Sequence, residues 1–350
     1  MPRADLHLHT TYSAWRQLRF IHPRDCYVEP IQAYRASLAA GMDFVAVTDH
    51  DSVEGALRLL EHPEADPARV IVGEEVEAIF PEIGQWVHVN VLGITEEDHR
   101  ELQRLRPDVR ELCAYCRERD LLHVLNHPFQ SFFGQKPIES YLEDILSLFT
   151  HVEGLNGGVT ALQNRAVSAL CEEAELWGSP LVQVGGSDAH TLGRVGRAWT
   201  EAEGGSASQF LAQVKVGRCR VGGAAQSFWG LVGSVHVIIG TYYARLLTGR
   251  GGGRGFKARA QDLVGATALL PFAFGPFPAA VTALNQARQK AVARSVLTRL
   301  EKPLALCPAP YGAPRGPRAG MDEWSGDLSG GTWPLFAGCE AKAVEGEARG

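Results

Sequence analysis

A chain of 350 residues with 45% apolar content can fill one large α/β barrel plus an appendage, or two ordinary domains. The formal charge of −6 argues against a general nucleic-acid binder, and seven scattered cysteines do not form the disulfide framework of a small secreted domain. Met1-Pro2-Arg3 leads straight into a polar, histidine-bearing run without the apolar stretch of a signal peptide, so the expected location is cytoplasmic.

In chain order, β-like runs fall at Asp5–Thr10, Phe44–Thr48, Val70–Ala78, Trp86–Leu92, Leu121–Leu125, Val152–Leu155 and Pro180–Gly185. Helix-like runs lie between several of them. Ser52 precedes one, Thr95 with Glu96-Glu97-Asp98 opens another, and Gln163–Trp177 has amphipathic spacing. Cys113-x-x-Cys116 has no second pair and reads as two thiols on one helix face. Alternating β and α elements imply a parallel sheet, and seven strands in about 220 residues suit a closed or nearly closed barrel. A barrel domain is therefore expected over residues 1–223.

The character changes after that point. Residues 226–304 hold ten Lys or Arg against Asp262 and Glu301, a net of +8, which leaves −14 on the rest of the chain. Phe228–Ala244 and Leu263–Gln286 carry no formal charge, and Pro271, Pro276 and Pro278 interrupt the second stretch. Residues 224–304 read as a basic, apolar helical appendage that packs on the barrel. The sharper alternative is peripheral contact with an anionic membrane surface, here the inner membrane surface, through residues 226–304. Residues 305–350, rich in Gly and Pro, read as a disordered tail.

Residues of metal-binding type gather near the C-terminal ends of the predicted strands, the rim that carries active sites in such barrels. They are His7, His9, His50, Glu75, His88, His127, Asp188 and His190. His7 and His9 alternate along one strand, so both rings leave the same face and can grip one ion. Asp188-x-His190 repeats that geometry at the end of the last strand, and Glu75 can bridge two ions through its two oxygens. Asp49 and Asp51 are further carboxylates, with Asp49 a candidate to orient a ligand histidine. His62, His99, His123 and His151 have no such context and read as structural or exposed.

Asp5-Leu6-His7-Leu8-His9-Thr10-Thr11-Tyr12-Ser13, Val47-Thr48-Asp49-His50-Asp51, Gly73-Glu74-Glu75, His127-Pro128 and Gly186-Ser187-Asp188-Ala189-His190 together resemble the successive motifs of the PHP (polymerase and histidinol phosphatase) superfamily. The resemblance covers about residues 1–200 in order. It implies a distorted (β/α)7 TIM-like barrel and a phosphoesterase using two or three zinc, manganese or iron ions. By the same resemblance His7, His9, Glu75 and Asp188 hold one ion, and Glu75, His88 and His127 a second. His50 and His190 belong to a third site, with a His or Asp that usually follows the serine of the first motif. Here Ser13 is followed by Ala14 and Trp15, which cannot ligate. The loop Arg16–Tyr27 comes next and contains His22 and Asp25, either of which could fold back to complete the site.

The implied chemistry is hydrolysis of a phosphate ester, a small phosphorylated metabolite or nucleotide, by a metal-activated water held at Glu75. His190 or Asp51 would protonate the leaving group. Arg16, Arg19, Arg24 and Arg194 lie near the same rim and are candidates to bind the anionic substrate. Two other readings remain. One is a nuclease or proofreading-type phosphodiesterase, which the acidic barrel disfavours. The other is a non-catalytic metal-binding module that reaches a membrane surface through its C-terminal segment.

Overall fold

The computed structural model describes residues 1–13, 24–132, 134, 136–248 and 256–301. The first half contains β1 (Arg3–Asp5), α1 (Pro30–Ala39), β2 (Phe44–Val47), α2 (Glu54–Leu60), β3 (Val70–Phe80), β4 (Gln85–Leu92), α3 (Glu96–Leu105) and α4 (Val109–Glu118). Then come β5 (Leu122–Asn126), α5 (Ile138–Leu148), β6 (His151–Asn156), α6 (Ala161–Leu176), β7 (Val182–Gly186), β8 (Ala198–Ala202), α7 (Ala207–Lys215) and β9 (Cys219–Gly223). Three helices end the described chain: α8 (Phe228–Thr248), α9 (Phe256–Ala273) and α10 (Pro276–Leu300).

One sheet runs through all nine strands in the order β7-β6-β5-β4-β3-β2-β1-β8-β9. β2 is Phe-Val-Ala-Val with every residue buried, as a parallel strand covered on both faces must be. The sheet curls until its first and seventh strands meet beyond their ends. There Leu8 bridges Ala189, the Asp188 amide donates to His7 O at 2.8 Å, and the His9 amide donates to Ala189 O at 3.2 Å. The architecture is a distorted, nearly closed TIM-like α/β barrel with a helical C-terminal part.

Two features depart from seven parallel strands. β4 is antiparallel to both β3 and β5, because the four residues 81–84 are too few for a crossover helix and force a hairpin. β3 continues well past the rim in that hairpin, so Glu75 lies in its middle opposite Asn90 and His88 sits on a reversed strand. The expectation that every metal-type residue ends its strand is corrected for these two. β8 and β9 also lie outside the expected set and form an antiparallel pair beside β1.

Local start signals mostly act as read. Thr95 and Asp98 form a reciprocal capping box on α3. Ser52 accepts from the Glu54 amide at 3.2 Å but stands one residue before the N-cap, Val53. Cys113 and Cys116 are free and buried on α4, with burial pushing the Cys113 thiol up to about 12.

The C-terminal helices pack on the barrel. Ala293, Val296 and Leu300 of α10 join the same apolar core as Leu170 and Ala174 of α6. Arg299 pairs with Glu139, and Arg288 Nη2 donates to Gln130 O at 3.0 Å. Arg245 of α8 reaches back to the barrel, donating to Glu29 Oε1 at 2.8 Å and Tyr27 O at 3.2 Å. These three basic residues of the segment fasten helices to barrel. Among the described residues α8 is the one helix long and apolar enough to cross a membrane, and 6% of that stretch is buried. The tail expected at 305–350 lies outside the described residues.

Candidate metal centre

Strand alternation builds the first part of the site. Leu6 and Leu8 are buried on one side of the β1 extension, so His7 and His9 leave on the other. Their Nε2 atoms face each other at 3.1 Å. Asp188 Oδ1 lies 3.6 Å from His7 Nε2 and 3.3 Å from His9 Nε2, at the seam where the barrel closes.

Glu75 stands at the middle of the cluster. Its Oε1 is 3.1 Å from His88 Nδ1, 3.1 Å from His127 Nε2 and 3.3 Å from His7 Nε2. Its Oε2 faces a different pair, His50 Nδ1 at 3.0 Å and His9 Nε2 at 3.3 Å. His50 and His190 then turn toward Asp25, whose Oδ2 is 3.4 and 3.5 Å from their Nε2 atoms. The structure thus brings together all eight residues singled out as metal ligands, and adds Asp25.

The donor set fits divalent cations. Glu75 Oε2 is buried and accepts no hydrogen bond although His50 Nδ1 and His9 Nε2 lie 3.0 and 3.3 Å away, and Asp25 Oδ1 is buried without a partner among the described residues. Four overlapping trios place their ligand atoms within 4.8 Å of one another: His7/His9/Asp188, His50/Glu75/His88, His9/His50/His190 and His7/His127/Glu153. Imidazole and carboxylate in this mixture suit zinc, manganese or iron.

The electrostatics have the same character. Burial opposes protonation of His7, His50, His127 and His190, yet the carboxylates around them raise all four. Glu75, then Asp25 and Asp188, lift His50 to about 10. Burial and the neighbouring His190 lower His9 instead. Burial works against ionised Glu75 and Asp188, but the histidines, His7 first, hold both well below the usual carboxylate range. Without metal the cluster is held by shared protons, which a cation would displace.

Several supporting groups carry no motif signal of their own. Glu153 of β6 is the main residue that sequence reasoning missed. Its Oε1 is 2.8 Å from His7 Nδ1, while Oε2 accepts from the His127 amide at 3.0 Å and Asn156 Nδ2 at 2.7 Å. It orients two ligand histidines at once. The signal for it was a lone carboxylate inside an otherwise apolar predicted strand. Ser13 Oγ is 3.2 Å from His9 Nδ1 and donates to Asp25 Oδ2 at 3.2 Å. Asp5 accepts from the Ser187 and Gly196 amides at 2.8 and 2.9 Å, tying the first strand to the last loop, and burial raises it to about 6.

Other candidates stand elsewhere. Asp51 sits against Arg106 and accepts from the Glu77 amide at 3.0 Å, so its carboxylate turns away from the histidine cluster. Asp49 accepts from the Thr10 amide at 2.5 Å and Thr10 Oγ1 at 2.7 Å; it fixes the turn after His9 rather than a histidine ring. Burial raises Asp49 to about 7. Arg24 donates to Thr11 Oγ1 at 3.2 Å. Arg194 follows His190 and donates to Ser234 Oγ on α8 at 3.3 Å. Arg16, Arg19 and His22 lie outside the described residues. His123 and His151 meet the Leu121 and Val214 carbonyls and are pushed down to about 4 by burial, as structural histidines.

Asp51, His127 and Asp188 all have left-handed backbone, with φ of 47°, 25° and 51°. Such conformations are costly for residues other than glycine and cluster where a structure fixes a site.

A family model described as PHP-associated matches residues 178–219, which hold β7, the Asp188 and His190 pair, β8 and α7. That stretch is similar to the PHP-associated family, in keeping with the PHP-like motifs along residues 1–200. Over 81 residues it is 28% identical to an uncharacterized protein of Methanocaldococcus jannaschii, in a match covering 23% of this chain and 47% of that one. The chain thus spans about half the length of that relative. Among solved structures, PsfC from Pseudomonas syringae aligns over 69% of this chain and all of its own, at 19% identity and a TM-score of 0.47. A candidate metal-dependent phosphoesterase from Bifidobacterium adolescentis aligns over 61% of this chain and 96% of its own, at 15% identity and a TM-score of 0.41. An amidohydrolase from Chromobacterium violaceum, solved with sulfate, aligns over 62% and 97% at 17% identity and a TM-score of 0.41. Asp25 stands against His50 and His190.

Proposed function

We propose that this protein is a metal-dependent phosphoesterase of the PHP type acting on a small phosphate ester. The observation that carries the reading is Glu75, whose two oxygens face two different sets of histidines. That is the arrangement of a carboxylate shared between ions. Divalent ions, if held there, would supply Lewis acidity toward phosphoryl oxygens and would make water a better nucleophile.

The residues divide the rest of the work. His7, His9 and Asp188 hold one side of Glu75, and His88 and His127 the other. Glu153 fixes the ring of His7 and the backbone of His127, so that neither side turns away. Asp25 takes the place of the donor missing at position 14 and completes a third trio with His50 and His190. Of the two candidate proton donors His190 faces the centre and Asp51 does not; Asp25 would hold the His190 imidazolium until an ion takes that site.

Hydrolysis of p-nitrophenyl phosphate in oxygen-labelled water tests the reading. The label should appear in the phosphate, as cleavage of the P–O bond requires. Label in the alcohol, or no turnover of any phosphate ester by metal-loaded protein, would overturn it.

A further inference from the structure

α8 runs past the rim beside the metal centre and leaves a cleft of about 590 Å³ against the loop that follows β7. That volume lies in the range of small-molecule sites. His190 belongs to both the centre and the cleft wall, so the two are adjacent. Much of the remaining wall is apolar, with Val28, Leu192, Trp229, Val237 and Ile238. Leu192, Trp229 and Val237 are left 44%, 74% and 56% exposed, an unusual surface to leave open beside a polar centre.

The cleft also holds one cation. Arg194 donates to Ser234 Oγ at 3.3 Å, and no carboxylate among the described residues pairs with its guanidinium. α8 is shaped around it. A Cβ at Gly230 would lie 2.1 Å from Arg194 Nη2 and 2.9 Å from Cζ, so the missing side chain leaves the room that the guanidinium fills. A guanidinium without a carboxylate, next to an apolar wall and opening on a phosphate-type centre, is the chemistry that recognises an amphiphilic anion.

We propose that the cleft between α8 and the barrel rim receives the alcohol half of the substrate, and that the substrate is a phosphate ester of a bulky apolar alcohol. Arg194 meets its anionic oxygens, and Trp229, Val237 and Ile238 cover the apolar group. This rests on the phosphoesterase reading, and it gives the C-terminal helices a task in specificity.

The experiment is a series of alkyl phosphates, from methyl to octyl, turned over by full-length metal-loaded protein. Binding of methylphosphonate and octylphosphonate, which cannot be hydrolysed, is measured alongside by calorimetry. Each buried methylene raises kcat/KM by about twofold to fourfold, so the octyl ester, with seven more methylenes, should lead the methyl ester by at least about 100-fold. Val237→Glu puts a charge in the wall and should cut that ratio at least about tenfold, with the ion content retained by elemental analysis. Trp229→Ser, at a mostly exposed position, gives a second variant that should narrow the ratio in the same direction. A chain-length series that stays flat while esters are hydrolysed would overturn the cleft assignment alone. If no ester were hydrolysed but octylphosphonate bound far more tightly than methylphosphonate, the cleft would stand and the phosphoesterase reading would fall.

Discussion

Gly186→Ala should damage the metal centre without replacing a ligand. A Cβ at this position would lie 2.4 Å from His7 Cβ and 2.8 Å from the His7 amide nitrogen. Ordinary carbon contacts are about 3.5–4.0 Å, so the first and seventh strands would have to part by about 1.1–1.6 Å. Overpacking of this kind costs about 1–3 kcal/mol, and here it falls where Asp188 N donates to His7 O at 2.8 Å to close the barrel. Ligand distances in a metal site must hold to within about 0.2 Å. The variant should therefore lose about 2 kcal/mol in urea denaturation of chelated protein and bind zinc or manganese at least about tenfold more weakly by calorimetry. Gly240→Ala on α8 is the control, since a Cβ there meets nothing within 4 Å. It should leave metal binding alone and gain up to about 1 kcal/mol from helix propensity. A Gly186→Ala protein with unchanged midpoint and unchanged metal titration would refute the close-approach argument.

Three further outcomes follow from the same geometry. Glu75→Gln should empty both sides of the shared carboxylate, whereas His50→Asn should spare the ions held by His7, His9, Asp188, His88 and His127; equal loss in elemental analysis would contradict this partition. Asp25→Asn should lower the content by one ion at most, and loss of every ion would show that Asp25 supports the whole centre. For the chelated protein, His50 is held protonated to about 10 when folded against an ordinary value of 6.5. The folded state thus binds more protons in between, and stability should fall as pH rises from about 6.5 toward 10. Asp49, raised by burial to about 7, adds the same sign at lower pH, between about 4 and 7. Metal-loaded protein should show the opposite trend, because ligand imidazoles must be neutral. A chelated protein that gained stability between pH 7 and 9 would show that the shared protons do not hold the cluster.

Much of the centre was legible because strand periodicity and strand ends are local properties. His7 and His9 share a face by alternation alone, and their chain positions already place them with Asp188 if the barrel closes. Glu153 was not legible in the same way: its task depends on β6 lying across from the first strand, a contact 146 residues distant in the chain. Asp25 and His22 were equivalent as sequence, and the structure sets Asp25 on His50 and His190. Asp51 looked like a member of the centre from its neighbour His50, yet Arg106, 55 residues later, draws it away. The reversal of β4 was signalled by a connection too short for a helix, whereas the run itself carries no mark of its direction. The appendage read from residues 224–304 could not be anchored from sequence, because the contacts that Arg245, Arg288 and Arg299 make with the barrel span more than 150 residues of chain.

The central claim is tested most directly by elemental analysis of the purified full-length chain, coupled to hydrolysis of a generic phosphate monoester and diester before and after chelation. The account predicts two or more divalent ions per chain, with activity lost on chelation and restored by added metal. A chain with no stoichiometric metal, and no turnover when zinc, manganese or iron is supplied, would contradict it.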